Sequence, residues 1–273
     1  MATRTVVITG ASDGIGAAAA RRLAAGGDQV VVVGRSAEKT SRIAAELGMP
    51  HHVADFAALS QVRRLAADLG AAYPRIDVLA NNAGGIFARR ELTVDGNERT
   101  FQVNHLAGFL LTTLLLPKLV ESRATVIQTA SAAARTMARY DPDDLQCERG
   151  YSGWRAYGNS KLANLLFTRE LHRRHHGHGV SAAAFHPGVV GSNFGSESSW
   201  PTRAFYGSPL LSRLLVSPAR GADTLVWLAE GTPGVTWQSG GYYAERRLAR
   251  TTQLAADAQL ARALWESSEL LVG

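Results

Sequence analysis

Short runs of β-branched and small apolar residues alternate along the chain with longer stretches whose apolar positions recur at helical spacing. Residues 5–8 predict a first strand and residues 15–25 a helix. A valine-rich strand over 29–33 follows, then a helix over 38–47 closed by Gly48, a short strand over 52–54, and a helix over 59–73 that stops before Pro74. A fourth strand is expected at 76–79. A long helical region over about 95–121, bent or broken on the way, leads to a fifth strand at 125–129. Residues 132–152 read as irregular. Leu162, Leu165, Leu166 and Leu171 give residues 155–175 a helical pattern, and residues 180–185 predict a sixth strand. Beyond it, 186–216 reads as loop with short helices, 219–230 as a helix after Ser217-Pro218, and 241–244 as a last strand.

Strands alternating with helices at this spacing imply an α/β, Rossmann-type, doubly wound parallel sheet of about seven strands with helices on both faces. The strands lack clean polar–apolar alternation, as burial on both faces demands. No linker, repeat or low-complexity tract divides residues 1–273, so one domain is expected, with 193–216 as a cover over the substrate and 246–273 as a C-terminal tail. Ligands of such sheets lie beyond the carboxyl ends of the strands.

The segment Gly10-Ala11-Ser12-Asp13-Gly14-Ile15-Gly16 joins the first strand to the first helix. Glycines there let the backbone turn tightly against a diphosphate, and the helix N-terminus offers free N–H groups to it. Dinucleotide binding is the expectation. The second strand ends in Gly34-Arg35-Ser36, where an acidic residue would favour NAD; Arg35 instead suits a 2′-phosphate, and NADP(H) is the expected cofactor. Lys39, one turn further, either assists or is a solvated helix residue. Asp13 sits nearby and opposes a phosphate unless it points away.

Composition narrows the class. The 273 residues are 46% hydrophobic and 19% charged, ordinary for a globular chain. The formal charge of +6 is concentrated in part at Arg173, Arg174, His175 and His176, where a helix is expected to end and cations are favoured. No acidic or cysteine ligands accompany those histidines, so no metal site is expected. The charge is not interleaved with exposed aromatics on a recognisable motif, so no nucleic-acid partner is expected. The one cysteine, Cys147, excludes an intrachain disulfide and suits a cytoplasmic location. No charged-then-apolar leader opens the chain, and the longest apolar run, 109–119, is too short to span a bilayer, so neither a secretory signal nor an integral membrane segment is expected.

Further motifs appear in a fixed order: Asp55-Phe56 after the third strand, Asn81-Asn82-Ala83-Gly84 after the fourth, Asn104 in Val103-Asn104-His105, Ser131 ending the fifth, Tyr157-Gly158-Asn159-Ser160-Lys161, and Pro187-Gly188-Val189-Val190. With the glycine turn they resemble the short-chain dehydrogenase/reductase family over residues 5 to about 230. Residues Thr93-Val94-Asp95-Gly96, Gly150-Tyr151-Ser152 and Leu162-Ala163-Asn164 bring the resemblance nearest to retinol-dehydrogenase-like members and their protochlorophyllide-reductase relatives. The resemblance implies that Tyr157 exchanges a proton with the substrate, that Lys161 stabilises its phenolate, that Ser131 holds the substrate oxygen, and that Asn104 holds a relay water. It also implies an adenine contact at Asp55 and nicotinamide contacts from Pro187, Gly188, Val190 and Ser192. Two departures are Ala130-Ser131 where two serines are common, and Ser192 where a threonine is common. His105 and His186 flank motif residues and are read as packing or hydrogen-bonding positions.

Tyr157 and Lys161 are four apart on an expected helix and so share a face. A free tyrosine titrates near pH ~10, and a nearby ammonium favours its phenolate, which makes it a usable base. The leading expectation is an NADP(H)-dependent oxidoreductase interconverting a carbonyl and an alcohol. Phe194, Trp200, Phe205, Tyr206, Leu210 and Leu211 in 193–216 suggest an apolar substrate, although the same residues would also suit helix packing, a subunit contact or a membrane surface. The rivals are a different reductase or epimerase chemistry on the same fold, and a non-catalytic NADP(H) sensor. The resemblance further implies a homodimer or homotetramer paired through the helices carrying Asn104 and Tyr157.

Overall fold

The computed structural model describes residues 3–188 and 216–273. Valine- and alanine-rich segments form one eight-stranded sheet in the order β3-β2-β1-β4-β5-β6-β7-β8. The strands are β1 (Thr5–Thr9), β2 (Gln29–Gly34), β3 (His51–Val53), β4 (Val78–Asn81), β5 (Thr125–Thr129), β6 (Ser181–Phe185), β7 (Gly241–Ala244) and β8 (Arg247–Leu248). All neighbours pair in parallel except β7 and β8. The eighth strand was not expected. It is two residues long, and its turn runs through Glu245 and Arg246 at φ 49° and 61°, left-handed positions held without the glycine or asparagine that usually signals such a turn.

Successive strand residues enter opposite layers. Val7, Val31, Val33, Leu79 and Val126 pack with helices α3 (Leu59–Ala72), α5 (Ala107–Leu114) and α8 (Gly153–His175). Val6, Ile8, Val30, Val32, Ala80 and Ile127 pack with α1 (Gly14–Ala25), α2 (Ala37–Leu47) and the helix Asp223–Glu230 on the other face. Burial on both faces explains the continuous apolar runs.

The long helical region, expected to be bent or broken, begins later than expected, at Arg99, and is built from pieces. A single turn, α4 (Arg99–Phe101), runs into a π-helical turn, Gln102–Leu106, then α5, then α6 (Leu116–Glu121) with Pro117 in its first turn. Residues 95–98 are not helical because their side chains bind elsewhere: the Asp95 carboxylate accepts Leu59 N at 2.9 Å, at the start of α3, and Glu98 accepts Thr100 N and Phe101 N, both at 2.8 Å. A short helix, α7 (Ala133–Thr136), interrupts the irregular stretch after β5.

Residues 246–273, expected as a C-terminal tail, carry further structure. After β8 they form the helices Gln253–Ala256 and Ala258–Val272. In the second, Trp265 is 4% exposed, stacked on Phe167 of α8 and edge-on to Phe109 of α5. This helix therefore covers part of the surface through which pairing of subunits was expected. The segment expected to cover the substrate, 193–216, lies outside the described residues except for Val216, as do Val190 and Ser192.

Candidate active site

A cleft of about 750 Å³ opens beyond the carboxyl ends of β1, β2, β4, β5 and β6. At one end is the glycine turn. Gly10 and Gly14 have φ 65° and 56°, and a Cβ on Gly10 would lie 2.8 Å from Ala83 Cα. Asp13 is extended and caps α1, its carboxylate accepting Gly14 N at 2.7 Å. Gly16 does not line the cleft; it lies under the turn, where a Cβ would collide with Gly10 O and sit 2.7 Å from Asn82 Nδ2. Asn82 fastens three strand ends, donating to Thr9 O at 3.0 Å and accepting Thr129 Oγ1 at 3.1 Å.

Ser12, Arg35, Ser36 and Lys39 line the cleft beside this turn, with Asp55 and Phe56 after β3 on the same wall. A Cβ on Gly34 would strike Thr40 Oγ1 and lie 2.9 Å from Ser12 Cβ, so no carboxylate fits at the end of β2. Lys39 Nζ stands 3.8 Å from an Asp13 carboxylate oxygen, both half exposed, which turns the Asp13 charge toward a cation of the same patch. A glycine-walled end of this kind fits the diphosphate of a dinucleotide, with bare backbone at the turn and helix N–H groups behind it.

The other end carries Ser131, Tyr157 and Lys161. Tyr157 and Lys161 face the cleft from α8, with Lys161 Nζ 5.6 Å from the Tyr157 ring centre. Lys161 is 1% exposed and donates to the Thr129 carbonyl at 2.9 Å. Burial lowers its ammonium to about 7. Ser131 Oγ accepts Ala133 N at 3.2 Å, at the start of α7. Asn104 lies directly behind: its Oδ1 accepts Gly85 N at 2.8 Å, and its Nδ2 donates to Gly85 O at 3.0 Å and Ser160 Oγ at 2.9 Å. A Cβ on Gly84 would lie 2.9 Å from Asn104 Oδ1 and 3.3 Å from Lys161 Nζ, so these two groups flank one glycine.

Residues 4–201 match the family described as short chain dehydrogenase. The chain belongs to that family. This short-chain dehydrogenase is 46% identical over 277 residues to a protein of Streptomyces sp. (strain C5) named "Putative daunorubicin C-13 ketoreductase DnrU", covering 99% of this chain and 93% of that one. It is 37% identical over 281 residues to retinol dehydrogenase 13 of Homo sapiens, covering 99% of this chain and 85% of that one. The solved structure of the Pseudomonas aeruginosa RhlG/NADP active-site complex superposes with a TM-score of 0.70 at 27% identity, covering 89% of this chain and 94% of that one. The resemblance to retinol-dehydrogenase-like members holds, and the chain is an oxidoreductase.

Several residues of the dehydrogenase site were not singled out by sequence. Ile86, Phe87, Met137 and Trp154 wall the end of the cleft near Tyr157. Phe87 is held by the Arg99 guanidinium 4.1 Å above its ring. Trp154 lies three residues before Tyr157, a spacing that places it on the same helix face. Thr129 has no sequence signal, because its carbonyl rather than its side chain receives Lys161. His186 keeps a hydrogen-bonding role: its Nδ1 accepts Gly188 N at 3.1 Å and so shapes the turn at Pro187-Gly188, where Gly188 has φ 82°. Burial lowers the His186 imidazolium below its ordinary range. Among the described residues no cluster suited to a metal ion occurs, and no helix is long and apolar enough to cross a membrane.

Proposed function

We propose that the chain interconverts a carbonyl and an alcohol on an apolar small molecule with NADP(H). The carrying observation is the meeting, in one cleft, of a glycine turn and a Tyr157–Lys161 pair beside Ser131. Gly10, Ser12, Asp13, Gly14, Ile15, Arg35, Ser36, Asp55, Phe56 and residues 82–84 at one end, and Tyr157, Lys161, Pro187 and Gly188 at the other, would hold the cofactor, with Gly16 packed beneath the turn and Val190 and Ser192 assigned by the family resemblance alone; the cofactor would supply or accept the hydride.

Tyr157 gives its phenolic proton to the carbonyl oxygen in reduction and takes the hydroxyl proton in oxidation. Lys161, when charged, stabilises the phenolate that this leaves; the phenolate in turn favours the ammonium, which burial alone has brought near neutrality. Ser131 donates to the substrate oxygen as charge gathers there. Asn104, fixed by Gly85 and Ser160, would hold the relay water that links Lys161 to solvent.

Preference for NADP(H) rests on Arg35 and Lys39 and on the exclusion of a carboxylate at Gly34; the neighbouring solved complex contains NADP. The apolar substrate is supported by Phe87, Met137 and Trp154, and by the ketoreductase and retinol dehydrogenase names of the relatives. A cytoplasmic location and a homodimer or homotetramer belong to the same proposal. Because Trp265 and its helix cover part of the α5–α8 face, a subunit contact either includes that helix or lies elsewhere; light scattering gives the number of subunits, and cross-linking from the helix Ala258–Val272 tells the two contacts apart. The side-by-side Tyr157 and Lys161 argue against a non-catalytic sensor.

The test is NADPH oxidation against apolar aldehydes, ketones, retinoids and quinones, with NADH in parallel. Tyr157→Phe should abolish turnover while NADPH still binds; a Phe variant that turns over normally refutes the role given to Tyr157.

A further inference from the structure

The π-helical turn Gln102–Leu106 inserts one extra residue into a helix, with Ala107 N reaching back to Gln102 O. Such a turn is rare and must be held by its surroundings. Three of its side chains are buried and anchored to three different parts of the chain. Gln102 Oε1 accepts Thr93 Oγ1 at 2.7 Å, and its Nε2 donates to Asp95 Oδ2 at 2.8 Å. Asn104 is bound to Gly85 and Ser160. His105, 2% exposed, reaches across 163 residues of sequence to Ser268 in the helix Ala258–Val272, Nε2 to Oγ 2.9 Å.

The chemistry of that last contact is determinate. The single hydroxyl proton of Ser268 goes to Leu264 O, 2.7 Å away. Ser268 Oγ can therefore only accept from His105, so Nε2 carries the ring proton and donates it. The ring stacks on Phe101, centroids 5.2 Å apart, and lies 6.1 Å from Phe109, which Trp265 of the same C-terminal helix covers. Burial holds the imidazole neutral, as this tautomer requires. A second polar neighbour, the Asn164 side chain, donates to the Thr129 carbonyl at 3.3 Å, the carbonyl that also receives Lys161.

We propose that His105 and Ser268 are positioning residues: their bond ties the C-terminal helix to the π turn and thereby fixes Asn104 behind Lys161. The structural part stands on geometry alone; its consequence for turnover rests on the proposed function. The contact could merely add stability, and the two roles separate in a double-mutant cycle. His105 Nδ1 is already buried without a hydrogen-bond partner, so Ser268→Ala leaves both ring nitrogens unpaired and should lower both melting temperature and turnover. In His105→Phe/Ser268→Ala both polar partners are gone and the aromatic stack is kept, so the melting temperature should recover to near that of the parent.

The decisive readout is backbone amide exchange at Gly85, whose N–H is held by Asn104, and at Ala107, whose N–H closes the π turn. Both sites should exchange at least about tenfold faster in the single and the double variant, a factor equivalent to about 1.4 kcal/mol. Turnover number should stay about tenfold low in the double variant with KM little changed. Exchange at Gly85 and Ala107 that returns to the parental rate with the melting temperature overturns the proposal. A parent enzyme without turnover on any carbonyl would sink the functional reading and leave the exchange test intact.

Discussion

Replacing Lys161 by Met should make the protein more stable and inactive. The ammonium is 1% exposed, has the Thr129 carbonyl as its hydrogen-bond acceptor, and is lowered by burial from 10.5 to about 7. At about 1.4 kcal/mol per tenfold change in ionisation constant, holding the charge there costs roughly 5 kcal/mol. Losing a charge-assisted hydrogen bond takes back up to about 3 kcal/mol, so the variant should gain about 2 kcal/mol at or below pH 7. For a chain of this size that raises the melting temperature by roughly 4–8 °C. The sign with pH is fixed by linkage. Between about 7 and 10.5 the unfolded lysine is protonated while the native one is not, so wild-type stability rises with pH over that window relative to the Met variant. The advantage of Met should therefore shrink and vanish toward pH ~9. Thermal unfolding of the cofactor-free protein at pH 6, 7.5 and 9 measures this. A Met variant less stable than wild type at pH 6, or a difference that does not change with pH, refutes the reasoning.

Arg35→Ala should lower kcat/KM for NADPH by about 10–100-fold, the worth of one charge-assisted phosphate contact, and leave NADH nearly unchanged; equal losses with both cofactors would contradict the 2′-phosphate reading. Gly34→Asp, the obvious route to NAD preference, should instead lower the melting temperature, because its Cβ meets Thr40 Oγ1 and Ser12, and adding Thr40→Ala should recover part of the loss in differential scanning calorimetry. Trp154→Ala should raise KM severalfold for bulky apolar carbonyls and little for small ones; a uniform effect across substrate size would remove Trp154 from the substrate wall.

The sheet was legible because two-sided burial forces continuous valine, isoleucine and alanine runs, and the glycine turn was legible because its backbone tolerates no other residue. Tyr157 and Lys161 stood out through the motif shared with the family, and their spacing correctly put them on one helix face. What escaped the sequence depended on partners far along the chain. No local pattern marks the π turn, whose register comes from Gln102, Asn104 and His105 binding Phe56 O, Gly85 and Ser268. The hairpin to β8 uses Glu245 and Arg246 in a conformation they rarely adopt. The acceptor for Lys161 is a backbone carbonyl, which every residue possesses and no pattern marks. Residues 246–273 carry apolar positions at helical spacing, yet nothing local says that Trp265 docks on Phe167 and Phe109.

The position of Ser268 orders events during synthesis. Chains leave the ribosome N-terminus first, and domains fold as units while they emerge. By Leu248 every strand among the described residues and the whole glycine turn have been made, but the serine that receives His105 is still to come. The hydrogen bond from His105 to Ser268 is therefore among the last contacts that the chain can make, and the π turn gains that tie only after the sheet that surrounds it has been synthesised.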